Sequence, residues 1–141
     1  MSFDASQIAR GKFYSLWVAG TQYAEVKAAS AESALTTEDV PIAGELGDEI
    51  VVTGGKGTGK LTFHKIMNSD LLKTINSQIG SGLPFVFDLI SELNDPNIDG
   101  AERVCIDDCQ ITKFNVIDVD ISKLLEQTYE FSYNISKVTF E

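Results

Sequence analysis

The chain has 141 residues, 43% hydrophobic and 23% charged, with a formal net charge of −10. That is enough for one domain with a sizeable core and is ordinary for a globular protein. No apolar run approaches the ~18 residues that span a bilayer, and Met1–Ser6 lacks the basic and apolar regions of a signal peptide, so the expected starting compartment is the cytoplasm. The acidic balance argues against tightly held nucleic acid, whose binding draws on Lys and Arg.

Lys12 to Val18 is aromatic and apolar, the composition of a strand. Ala19-Gly20-Thr21 supplies a turn, and Tyr23 to Ala29 alternates with the two-residue period of a half-buried strand, predicting an N-terminal hairpin. Ser30 to Gly47 is polar and broken by Pro41, Gly44 and Gly47. It predicts a long loop excursion around residues 30–59, with strand near Ala34–Thr37 and at Asp48 to Thr53. Lys60 to Ile66 alternates again, as a strand. Ser69 to Ile79 is the one helix: Asn68 or Ser69 caps it, Asp70 suits its positive end, and Leu71, Leu72, Ile75 and Ile79 form one apolar stripe. Strands are expected at Phe85–Leu93, Glu102–Asp107 and Ile111–Val119, with turn residues from Asn94 to Gly100. The aromatic alternation from Gln127 to Val138 is the cleanest strand pattern in the chain. The sum is mainly β, an antiparallel sandwich or barrel with one flanking α-helix near residues 69–79, built as a single domain over 1–141.

Cys105 and Cys109 lie roughly 13 Å apart if they share a strand at ~3.3 Å per residue, too far for a disulfide. With His64 the sole histidine, they do not make a zinc set either. They read as reduced core residues. No metal, cofactor or catalytic constellation is expected. His64, Phe13, Tyr14 and Trp17 are taken as ordinary surface, core or interface residues.

The feature closest to chemistry is Gly54-Gly55-Lys56-Gly57-Thr58-Gly59-Lys60, which follows the apolar run Ile50-Val51-Val52 and fits G-x-x-x-x-G-K. A phosphate-binding loop joins a strand to a helix whose N-terminus faces the phosphates, and a Ser or Thr after the Lys holds Mg²⁺. Here Leu61 takes that place, and a two-residue period follows where a helix is required. The competing reading is a glycine-loosened β-connection with Lys56 and Lys60 in solvent. The residues favour it, and it predicts that Gly54–Lys60 is mobile in the free subunit.

Landmarks spread over residues 11–135 resemble one family: Gly11-Lys12, Ala24-Glu25-Val26-Lys27, Gly57-Thr58-Gly59 ahead of Phe63 and Lys65, Gly100-Ala101-Glu102-Arg103-Val104, Asp118-Val119-Asp120, Leu125-Glu126 and Tyr129–Phe131. In this order and spacing the chain resembles the tail tube proteins of contractile phages, PBSX-like prophages and R-type bacteriocins of Gram-positive bacteria. Lys60, and the acidity of Glu38 to Glu49, depart from the family's pattern. The resemblance implies a non-enzymatic structural protein. Six copies would form a ring, their inner sheets joined in a twenty-four-stranded barrel around a lumen, and rings would stack into a tube. The implied partners are further copies of itself, a surrounding sheath, and baseplate and tail-terminator proteins. DNA would at most pass through the lumen, and no membrane would hold the free subunit. The implied location is the bacterial cytoplasm during assembly, then a virion tail or a released bacteriocin.

On that footing Glu38, Asp39, Gly44, Glu45, Gly47, Asp48, Glu49, Gly54, Gly55, Lys56, Gly57 and Gly59 are the candidate self-assembly loop. Glu102 and Arg103 are candidates for ion pairs between subunits. Part of the negative charge is expected to line the lumen and keep DNA from adhering. The other readings are a small nucleotide-binding enzyme using residues 54–60 and a monomeric β-sandwich baseplate or adaptor module.

Overall fold

The structure, a computed structural model, describes residues 11–65, 70–96 and 100–141. The expected helix cap at Asn68 or Ser69, the end of the Lys60–Ile66 strand and part of the Asn94–Gly100 turn lie outside the described residues. Among the described residues there are eight strands and one α-helix: β1 (Tyr14–Val18), β2 (Thr21–Gln22), β3 (Val26–Pro41), β4 (Asp48–His64), α1 (Asp70–Gly80), β5 (Val86–Leu93), β6 (Glu102–Phe114), β7 (Glu126–Tyr133) and β8 (Val138–Phe140). All pairings are antiparallel, in the order β2-β1-β5-β6-β7-β4-β3, with β8 added beside β6. The mainly-β reading with one helix therefore holds.

β6 passes between the two halves of the sheet. Its first half pairs with β5 and with β8, and its second half pairs with β7. The bend falls at Asp108, whose φ is 56°, a left-handed conformation that Asp tolerates better than most residues. Its N–H is satisfied by the Asp88 carboxylate at 3.1 Å. The sequence predicts two strands here. The chain between them holds no Gly or Pro, so one bent strand forms instead.

The inward faces of the two halves meet in one core. Leu16, Val18, Phe87, Leu89 and Ile106 come from one half, and Leu61, Phe63, Tyr129, Phe131 and Tyr133 from the other. The Phe87 and Phe131 rings meet edge to face, with centroids 5.8 Å apart, a favoured aromatic geometry. From α1 only Ile75 is fully buried; Leu71 and Leu72 are half-buried and Ile79 is exposed. The expected apolar stripe is therefore shorter by one turn. Cys109 is buried at the bend. Burial, with Asp88, Asp107 and Asp108 nearby, pushes its thiol up to about 12, so it is inert as a nucleophile. Both cysteines are free.

Three expected elements differ. The first hairpin is β1 with β2, closed by Ala19 and Gly20, both at positive φ, as a tight hairpin turn demands; β3 pairs with β4 and not with β1. The last strand stops at Tyr133, where the Asn134 side chain accepts from Ser136 N at 2.9 Å and caps a short 3-10 turn before β8. The strand expected to reach Val119 ends at Phe114. Asn115 N–H still bonds Thr128 O at 3.3 Å, but from Val116 onward no strand among the described residues lies alongside, and β-branched residues without a partner do not make a sheet.

The largest difference is at residues 30–59. The expected loop is a long hairpin, paired from Val26–Phe63 to Pro41–Asp48 with two register shifts, at Lys27 and after Thr36. Gly54, Gly55, Lys56, Gly57 and Gly59 lie within β4 and not in a loose connection.

Candidate assembly surface

The second half of the sheet, from β6 (Gln110–Phe114) through β7 and β4 to β3, forms a four-stranded layer. Its inner face explains the glycines. A Cβ at Gly59 would lie 2.2 Å from Phe131 Cζ, one at Gly57 2.3 Å from Tyr133 Cε2, and one at Gly55 2.6 Å from Ile135 Cδ1. The aromatic rings of β7 therefore lie flat across the bare backbone of β4. Tyr133 crosses it completely: opposite Gly57 on the far side is Ser33 of β3, whose Oγ is 2.9 Å from the Tyr133 hydroxyl. Small residues on β3, Ala29, Ala31 and Ser33, complete the rows begun by Tyr129, Phe131 and Tyr133. Such stacking of aromatics over strand glycines fixes register.

The outer face of the same layer is polar. Lys56, Thr58, Lys60, Thr62 and His64 alternate outward along β4, facing Glu126, Thr128, Glu130 and Ser132 of β7 over the shared stretch. Lys60 is directly opposite Glu130, which also pairs with Lys113 at 3.4 Å. Lys27, in a β3 irregularity, pairs with Glu126 beside His64. That hydrogen bond, above all, holds the Glu126 carboxyl below its usual value. On this face four lysines (27, 56, 60, 113) meet three glutamates (32, 126, 130) and Asp118, which borders Lys60 and Lys113, in a chain with 11 basic and 21 acidic residues. Lys60 thus sits mid-strand beside a carboxylate. No helix follows it, and the phosphate-loop geometry is not formed.

Beyond Gly57 the hairpin outruns β7, whose last pair is Gly57–Tyr133. Among the described residues, Ala34–Pro41 and Asp48–Lys56 pair only with each other and make a two-stranded arm. A bulge between Thr36 and Thr37 shifts the register by one, so Val52 and Ile50 fall on the face that carries Leu35. These three side chains are exposed. Toward the tip the arm collects Glu38, Asp39, Glu45, Asp48 and Glu49 with no Lys or Arg between them. Gly44 makes the tip turn at φ 85°, and Gly47 follows in the same turn. At the opposite end of the layer, where His64 pairs with Glu126, residues 115–125 connect β6 to β7. Val116, Ile117, Val119, Ile121 and Leu124 of this connection are all exposed.

The candidate ion-pair residues lie in the other half of the sheet. Arg103 pairs within its own chain, with Glu141 at 3.3 Å, and stacks over Trp17 at 5.9 Å. Glu102 is exposed opposite Leu93. The residues that sequence reasoning missed are the aromatic partners of the glycines. The signal was present, since glycines at 55, 57 and 59 and aromatics at 129, 131 and 133 share the same two-residue spacing.

Several solved structures share this fold. The anti-feeding prophage tube-terminating cap matches with a TM-score of 0.76 and 10% identity, over 100% of this chain and 95% of that one. The sheath–tube complex of the extracellular contractile injection system PVC matches with a TM-score of 0.75 and 10% identity, over 99% of both chains. Hcp1 from Flavobacterium johnsoniae matches with a TM-score of 0.57 and 17% identity, over 91% of this chain and 94% of that one. A search of curated proteins finds none that matches. The family described as phage tail tube protein matches residues 1–138. Its model spans nearly the whole sequence, both halves of the sheet and the arm included, and the chain belongs to the phage tail tube protein family.

Proposed function

We propose that six copies close into a ring through the four-stranded layer and that rings stack into the inner tube of a contractile phage tail or phage-tail-like bacteriocin. The observation that carries this reading is the layer itself. It has a polar outer face and two strand edges without a neighbour among the described residues: β3 along its length and β6 at Thr112–Phe114. Open edges are a hazard for a monomer, and joining them around a ring removes them. Six layers of four strands then make one closed barrel with the polar face inward.

On this reading the channel wall is not acidic. Basic and acidic side chains nearly balance there, and much of the chain's other negative charge lies on the arm tip and the other half of the sheet. Part of the negative charge then lines the lumen, through Glu32, Glu126 and Glu130, but lysines meet it there; a balanced wall neither grips nor strongly repels a passing polyanion such as DNA. The protein's role is structural, with no reaction of its own. Its partners are further copies of itself, a sheath around the tube, and baseplate and terminator proteins at the ends. It assembles in the bacterial cytoplasm and leaves in the finished particle. Of the candidate self-assembly residues, Glu38 to Lys56 lie in the arm, a hairpin and not a loop, while Gly57 and Gly59 lie in the layer beside β7.

Negative-stain microscopy and sedimentation of the purified chain test this. Sixfold rings and tubes of uniform width are expected. A persistent monomer at high concentration, with tail nucleators present, contradicts it.

A further inference from the structure

We infer that the cleft beneath β3 is the socket for Phe114 of the neighbouring copy in the same ring. This rests on the ring reading above and names the side chain that closes each seam behind the channel wall.

The cleft measures about 330 Å³ and lies between the two halves of the sheet. Ala29, Ala31 and Ser33 of β3 line one wall, and Leu89, Val104 and Phe140 line the other. The β3 wall is built of short side chains, and Ala31 and Ser33 are exposed. Phe140, opposite, is 67% exposed. The core that is filled by aromatic rings under β7 and β4 therefore stops short at β3. The other edge of the layer is the reverse. Phe114 ends β6, pairs with Tyr129 and is only partly buried against the core. Leu83 lines a recess beside it and is 58% exposed.

Ring closure brings these two edges together. Each strand of the layer is antiparallel to the one before it. With four strands, a copy turned about the ring axis also meets its neighbour antiparallel. Within one copy the core-side row runs Phe114, Tyr129, Leu61, Ala29. Strands of a closed barrel tilt by about 35–45°, and across four strands roughly 4.8 Å apart that advances the register by about four to six residues. His64 N–H points to Glu25 O on the β3 side and Lys65 N–H to Leu125 O on the β7 side. With the right-handed twist of sheets, this directs the shift along β3 toward the arm. The advance is an even number of residues, because an odd one would turn Phe114 into the channel. Counting about four residues on from Ala29 reaches Ser33. The neighbour's Phe114 then lies over the cleft.

The chemistry of both faces fits this register. On the core side a phenyl ring meets short side chains and an apolar floor, and ring surface that one copy alone leaves in water is buried. On the channel side, the row Lys113, Glu130, Lys60, Ser30 shifts by the same amount. Lys113 then stands diagonal to Glu32 of the next copy, within reach of a long side chain. Glu32 has no ion pair among the described residues. The seam thus matches large to small on one face and positive to negative on the other.

The test uses the full chain and reads the concentration needed for rings. Phe114→Ala should raise it about tenfold or more. Phe114 also touches its own core, so a second variant works from the socket side. Ala31→Phe fills the cleft from an exposed position; the melting temperature of the subunit should hold while the ring concentration rises by a similar factor. In a third measurement, Ser33→Cys/Phe114→Cys in a Cys105→Ser background is treated with a short bis-maleimide above the ring concentration. A ladder of covalent multimers is expected. Rings at the wild-type concentration in both Phe114→Ala and Ala31→Phe, or cross-linking that leaves every chain monomeric, overturn the inference while leaving the ring reading intact. A wild-type chain that forms no rings overturns both.

Discussion

β4 is one strand with two environments. From Gly57 to His64 it lies between β3 and β7, and Gly57, Leu61 and Phe63 are buried. From Asp48 to Lys56 it has β3 alone, and every residue is exposed. Both stretches are similar in β-propensity and rich in glycine, so the difference comes from the neighbour and not from the segment itself. Gly57 and Gly59 are required by the β7 rings and Gly55, at the arm's root, by Ile135; Gly54, where a Cβ meets nothing within 4 Å, is merely permitted. The comparison separates what the fold needs from what assembly needs.

Substitutions should divide along that line. Phe131→Ala removes a ring that is 1% exposed and lies over Gly59; it should cost about 3–5 kcal/mol of subunit stability in a denaturant titration. Ile50→Ala, in the arm, should change it by less than about 0.5 kcal/mol. Next in size, Gly59→Val drives a side chain into Phe131 and should cost about 3 kcal/mol, lowering the melting temperature by roughly 6–12 °C. Gly54→Val should leave the melting temperature nearly unchanged, because a Cβ there meets nothing within 4 Å. Equal losses at Gly54 and Gly59 would erase the distinction.

Hydrogen exchange in the isolated subunit sharpens the same contrast. Amides from Gly57 to Phe63 should be well protected and those from Glu49 to Thr53 should exchange early. This reverses the expectation that all of Gly54–Lys60 is mobile. The smallest effect concerns the outer face. Lys27 holds Glu126 below the usual glutamate value of 4.5. A depressed folded-state pKa gives stability that is full above the unfolded value and lost as pH falls through the folded one. Lys27→Met should therefore be slightly less stable than wild type near neutral pH, and the two should converge as pH drops below the carboxylate range in an acid titration.

Much of the fold was legible because periodicity and turn chemistry agree over most of the chain. The α1 helix, β5, β7 and the alternation at Leu61–Phe63 follow from local pattern. The hairpin was not, because Pro41, Gly44, Gly47 and the four glycines from Gly54 to Gly59 read locally as breakers. Three of those glycines make sense only with Ile135, Tyr133 and Phe131 in view, about 70–80 residues away in sequence, and the arm's strand character depends on the partner strand β3. The Val116–Val119 segment failed in the opposite sense: strand-forming residues with no strand beside them among the described residues. Glu102 and Arg103 are intersubunit ion-pair candidates on the family resemblance; within one chain Arg103 pairs with Glu141.

The most direct test of the central claim is a cryo-electron microscopy map of a single assembled ring. The account predicts sixfold symmetry, with β3 of each copy hydrogen-bonded to Thr112–Phe114 of the next and with Lys60, Lys113 and Glu130 facing the channel. A ring with β3 unpaired, or with this polar face turned outward, would contradict it.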